Sequence, residues 1–168
     1  MAILVLMDDP KKQKIIDEQF ALKKAGHYCA YQERSQQEVR DKLYEWGLWP
    51  AAVENIIAKL IEGEFLNEER FAKAYAIGKF RQKAWGKIKI KQGLKLKQVP
   101  DVLIRKALNS INYDDYLDTL RTIIEKKAIL LNESNTYTRR YKLQQYAIGR
   151  GFENDRVAEV LKDYDGNK

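Results

Sequence analysis

Apolar residues recur along this chain at the spacing of amphipathic helices, and they do so three times over. Val39, Leu43, Leu48, Val53 and Ile57 return as Ile90, Leu94, Val99, Ile104 and Leu108, each displaced by 51 positions. A weaker third set, Leu143, Ala147, Phe152, Val157 and Leu161, follows the second at a displacement of 53. Spacings of three and four place such residues on one helix face. Self-similarity near 50 residues marks stacked helical units and an extended surface, not a single catalytic pocket. The fold expected is all-α: three tandem three-helix modules in an elongated, curved array.

Local signals divide the copies into helices. In the first, a long helix is expected from about Lys12 to Gln32. Ser35 and Glu38 then form a capping box, hydroxyl and carboxylate each taking a free backbone N–H. The next helix carries Val39, Leu43 and Trp46, and Gly47 ends it with a left-handed turn. Pro50 suits the first turn of a third helix, which needs no N–H there. In the second copy Asn67 is a good N-cap before Glu68-Glu69. Gly86 stands where Ser35 stood, and Pro100 where a third helix begins. The third copy predicts helices from about Asp114 to Leu131, one ending near Gly149-Arg150-Gly151, and one from about Asn154 to Tyr164, with Asp165–Lys168 frayed. Lys87-Ile88-Lys89-Ile90-Lys91 alternates like a strand. It reads as helix because Ile90 and Leu94 match Val39 and Leu43, and a lone strand has no partner. The divisions are a tail or short strand over 1–11 and modules over 12–63, 64–111 and 112–168.

Composition narrows the class. The 168 residues are 45% hydrophobic and 33% charged, as in a folded soluble protein. No apolar stretch is long enough to span a bilayer. Ala2–Met7 has no basic residue before it and makes a poor signal peptide. Cys29, the one cysteine, allows no internal disulfide and fits a reducing cytosol. A cytoplasmic monomer is expected. The net charge of +7 is local: from Arg70 to Pro100 there are ten basic residues and no acidic one.

Catalytic chemistry finds little support. His27 and Cys29 are two apart on a helix, point in different directions and lack zinc-ligand spacing. A packing cysteine and a partly exposed histidine describe them. The glycines near Gly86 and Gly93 lack a phosphate-loop motif and its strand. Asp8-Asp9 and Asp114-Asp115 are adjacent pairs that diverge, and fit dipole complements and solvated turns. No catalytic constellation, cofactor or metal is expected.

The basic segment is the stronger signal. Lys87, Lys91 and Lys95 form one slanting stripe on a helix. Lys79, Arg81 and Lys83 approach it from the preceding helix, and Lys89 and Lys97 complete the set. Like charges without carboxylates repel, and an anionic partner relieves that repulsion. Arg139, Arg140 and Lys142 form a smaller group in the third copy. In the first copy Glu38 and Asp41 offset Arg40 and Lys42. Phe80 and Trp85 fit either base stacking or the core, the core better.

Gly63-Glu64-Phe65-Leu66-Asn67-Glu68-Glu69-Arg70-Phe71-Ala72 resembles the signature joining the first two modules of the RecX family. Arg34-Ser35 with Glu38-Val39 and Lys42-Leu43 resembles its first-module motif, and Gly86 with Lys89-Ile90 and Leu94 its second. The resemblance is good from Phe20 to Leu108 and looser in the third copy. Asn67 replaces the family's usual Asp, keeping the cap and removing a charge. Gln98 replaces its usual glycine, so a different turn is expected after the basic helix. The resemblance implies a non-enzymatic regulator of the RecA recombinase. Such a regulator lies in the groove of the RecA–DNA filament and inhibits its assembly, ATPase, strand exchange and coprotease activity in DNA repair and the SOS response. A general binder of single- or double-stranded DNA and an adaptor for another acidic protein are the alternatives.

Overall fold

The computed structural model describes residues 17–166. Nine α-helices and no strand are present among them. No helix among the described residues is long and apolar enough to cross a membrane. The helices fall into two compact units, one up to Glu68 and one from Glu69 onward.

The first unit holds α1 (Glu18–Tyr31), α2 (Gln36–Glu45) and α3 (Pro50–Glu62). Asp17 caps α1, its side chain accepting from the Gln19 N–H at 2.9 Å. The expected start near Lys12 and the tail or strand over 1–11 lie outside the described residues. The capping box forms in full: Glu38 N–H donates to Ser35 Oγ at 3.1 Å and Ser35 N–H to Glu38 Oε2 at 2.9 Å. Gln36 N–H donates to Glu68 Oε2 at 2.8 Å, so a further α2 donor is satisfied from outside the helix. Gly47 takes a φ of +89°, and Leu48 N–H reaches back to the Leu43 carbonyl, closing α2. The core is a stripe of small α1 residues, Ala21, Ala25 and Cys29, under Val39 and Leu43 of α2 and Val53, Ile56, Ile57 and Leu60 of α3.

The second unit holds α4 (Glu68–Lys83, whose first residue lies at the boundary), α5 (Lys87–Leu96), α6 (Asp101–Asn109), α7 (Tyr113–Leu130), α8 (Thr136–Gly149) and α9 (Asn154–Gly166). One continuous core runs from Phe71 to Leu161. The second and third sets of three helices therefore share an interior. Of the fifteen positions in the triple pattern, fourteen are buried, and Leu108 is partly buried against the same core. The alternating Lys87–Lys91 run is helical, with Ile90 and Leu94 inside. α9 continues two residues past Tyr164, and the rest of the frayed end expected there lies outside the described residues.

Gln98 corrects an expectation. It takes a φ of +58°, Val99 N–H bonds the Leu94 carbonyl and Gln98 N–H the Lys95 carbonyl. That is the same turn as at Gly47, and as at Gly151 with its φ of +92°. The repeated turn is kept without the glycine because the two carbonyls and the burial of Val99 fix the path of the chain.

Gly86 and Gly151 make the junction inside this unit. A Cβ on Gly86 would lie 2.2 Å from the Gly151 backbone, and one on Gly151 2.3 Å from Lys89 Cβ. The contact lets Gly86 N–H donate to the Arg150 carbonyl at 2.9 Å and Ile88 N–H to the Gly151 carbonyl at 3.0 Å. Between them, Lys87 N–H donates to Tyr116 Oη at 3.0 Å. Three successive donors at the start of α5 are thus met by tertiary acceptors, where α2 uses a side-chain box.

Candidate partner-binding face

α4, α5 and the turns that follow them carry the basic segment, and its cations divide into two kinds. The first kind is held against aromatic rings. Lys79 Nζ lies 5.0 Å and Lys89 Nζ 4.8 Å from the Trp85 ring centre, so one half-buried indole carries two ammonium groups. Lys87 Nζ lies 5.1 Å from the Tyr116 ring and Lys97 Nζ 6.0 Å from that of Phe71. Each contact is favourable by about 0.5–2 kcal/mol and fixes the lysine stem. Phe80 is buried in the core, beside Tyr116, and is not available to stack on a base.

The second kind points into solvent. Arg81, Lys83 and Lys91 are exposed and form no ion pair among the described residues. Lys95 is exposed and meets Asp101 at 3.8 Å, a loose pair worth little in water. Lys87 and Lys89 sit in the first turn of α5, where the helix dipole disfavours cations. The segment therefore combines mutual repulsion with an adverse dipole, which the ring contacts of Lys79, Lys87, Lys89 and Lys97 offset in part.

The first copy shows what self-neutralisation looks like. Arg40, 51 positions before Lys91, forks onto Glu54: Nε–Oε1 is 2.7 Å and Nη2–Oε2 3.1 Å. That bond holds the Glu54 carboxyl below its usual range. Lys42 meets Glu45 at 2.9 Å. In the second copy the residue matching Glu54 is Arg105, an exposed cation with no ion pair among the described residues. An acid–base pair has become two bases. Arg105 falls outside the basic window and is absent from the expected set; only the 51-residue displacement from Glu54 points to it.

The third-copy group is engaged internally. Arg139 donates through Nη1 to the Leu131 carbonyl at 3.0 Å and through Nη2 to that of Ala128, closing the end of α7. Arg140 Nη1 donates to the Leu161 carbonyl at 3.3 Å, and Lys142 pairs with Glu133 at 2.9 Å. Arg150 likewise donates to the Lys83 carbonyl at the end of α4. Cys29 is buried in the first unit's core and His27 is exposed, so the two do not meet.

Three family models match in order: the first three-helix domain of RecX over residues 21–60, the second over 67–108 and the third over 114–161. The chain belongs to the RecX family. The regulatory protein RecX of Clostridium acetobutylicum is 31% identical over 158 residues, covering 90% of this chain and 73% of that protein. That of Prosthecochloris aestuarii is 29% identical, covering 88% of this chain and 95% of that one. For the Bacillus licheniformis protein, 29% identical, the chain spans only 57% of its length. The crystal structure of RecX from Lactobacillus salivarius superposes with a TM-score of 0.82 at 24% identity, over 88% of this chain and 96% of that chain, a likeness of fold. The solvent-facing cations lie in the second RecX domain, and the internally bonded Arg139, Arg140 and Lys142 in the third.

Proposed function

We propose that this RecX-family protein regulates the RecA recombinase by binding the RecA–DNA filament, as a monomer in the cytoplasm and without catalysis of its own. One observation carries the reading. The second domain sets Arg81, Lys83, Lys91 and Arg105 in solvent without ion pairs among the described residues, where the first domain neutralises the matching Arg40 with Glu54. An anionic assembly relieves that repulsion. Three domains offer successive contacts, each raising the effective concentration for the next. Occupancy of the filament then blocks subunit addition, strand entry or the approach of cleavage substrates.

The first test is RecA's DNA-dependent ATPase with substoichiometric protein added. Inhibition well below one protein per RecA is expected. Unchanged hydrolysis at equimolar protein contradicts the reading. If bare DNA were the target, affinity for it would match that for the filament and fall by about 0.7 log units per log of salt for each single-strand phosphate contacted.

A further inference from the structure

The outer face of α5 is not only basic. At about 100° per residue, Lys91, Lys95, Ile88, Gln92 and Leu96 fall within one arc of about 140°. Leu96 is 85% exposed and Ile88 45% exposed, with Gln92 between them on the arc and Lys91 and Lys95 beside Ile88. Val102, 52% exposed, stands in the first turn of α6, next to the Asp101 that meets Lys95. The matching face of α2 is built differently. Its residues 51 positions earlier are Gln37, Arg40, Asp41, Tyr44 and Glu45. Tyr44 is exposed there, but the other four are bonded: Gln37 donates to Asp41 at 2.7 Å, Arg40 to Gln37 at 3.2 Å, and Lys42 to Glu45. Where α2 places Gln37 and Glu45, α5 places Ile88 and Leu96.

We infer that this face docks on a protein surface that offers carboxylates beside apolar sockets, and not on nucleic acid. The inference rests on the RecA-filament reading and specifies which component of the filament α5 meets. Phosphates complement the lysines but leave Leu96 and Ile88 in water. Neither aliphatic side chain has a π-face on which a base stacks. A protein surface satisfies both halves: carboxylates take Lys91 and Lys95, and apolar burial of Leu96 and Ile88 supplies the area-proportional gain. A second copy of this chain does not fit, because two such faces would set lysine against lysine.

The test pairs two targets, a RecA filament assembled on single-stranded DNA and the same DNA without RecA. The double variant Ile88→Gln/Leu96→Gln changes only exposed positions, and its helical content is checked by circular dichroism. Filament affinity is expected to fall roughly 10- to 100-fold, with affinity for bare DNA and its salt slope unchanged. Wild-type filament affinity in the variant overturns the inference and leaves the RecA reading standing. Equal losses on filament and bare DNA overturn it too, by assigning the face to nucleic acid. Wild-type protein that does not bind the filament overturns the RecA reading and this inference with it.

Discussion

Gln98 holds a left-handed conformation that glycine holds in both sister turns, at Gly47 and Gly151. A residue with a Cβ is disfavoured there by roughly 1–2 kcal/mol, partly offset by the smaller freedom it loses on folding. Gln98→Gly is therefore expected to stabilise the second unit by about 1 kcal/mol, a rise of about 4–8 °C in that unit's unfolding midpoint. A midpoint that stays or falls would mean that the Gln98 side chain makes a compensating contact. Trp85 shows how far a residue's type foretells its role. A tryptophan among lysines in sequence suggests either core or stacking platform. The structure makes it a half-buried support for Lys79 and Lys89, a pairing set by the angle between α4 and α5 that spacing alone does not contain.

α5 shows what a helix needs when its cap is missing. Gly86 has no side chain to accept an N–H, and Lys89 stands where Glu38 completes the box of α2. Donors 86, 87 and 88 go instead to Arg150, Tyr116 and Gly151. Tyr116 links this helix to the third domain, because its hydroxyl donates in turn to Glu153. Burial foremost, and then that bond, push its phenol above the ordinary range, so the neutral form is favoured in the folded state. The stability this confers is complete below about pH 10, the unfolded value, and is lost as pH rises above it. Tyr116→Phe is expected to cost about 1–3 kcal/mol at neutral pH, by leaving the Lys87 N–H without its acceptor. It should also flatten the alkaline loss of stability seen in urea melts above pH 10. A slope that persists in the variant would assign it to another group. Helix identities, the Ser35–Glu38 box and the inward positions of the copies are legible from the sequence, since they depend on spacing within a few residues, whereas the caps at Asp17, Asn112 and Asn135 were not picked out. The junction is not: glycine at 86 and 151 signals a turn, but only packing makes each the other's neighbour.

Across the whole molecule, charge separates the domains. The first domain pairs Arg40 with Glu54 and Lys42 with Glu45, and the third spends Arg139 on carbonyls at the end of α7 and Arg140 on the Leu161 carbonyl of α9. The second leaves Arg81, Lys83, Lys91 and Arg105 in solvent. The basic window was legible in composition, but the division within it was not. Which lysines lie on rings and which arginines bond backbone carbonyls depends on packing, with partners 8 to 21 residues away in sequence for Arg139 and Arg140. Arg105 was hidden for a different reason: its meaning appears only when the repeats are laid over one another. The most direct measurement is RecA's DNA-dependent ATPase titrated with the variant Arg81→Gln/Lys83→Gln/Lys91→Gln/Arg105→Gln, its helicity checked by circular dichroism. Half-inhibition should require about tenfold more variant than wild type, or be lost. A variant that inhibits like the wild type contradicts the claim that these cations hold the protein on its partner.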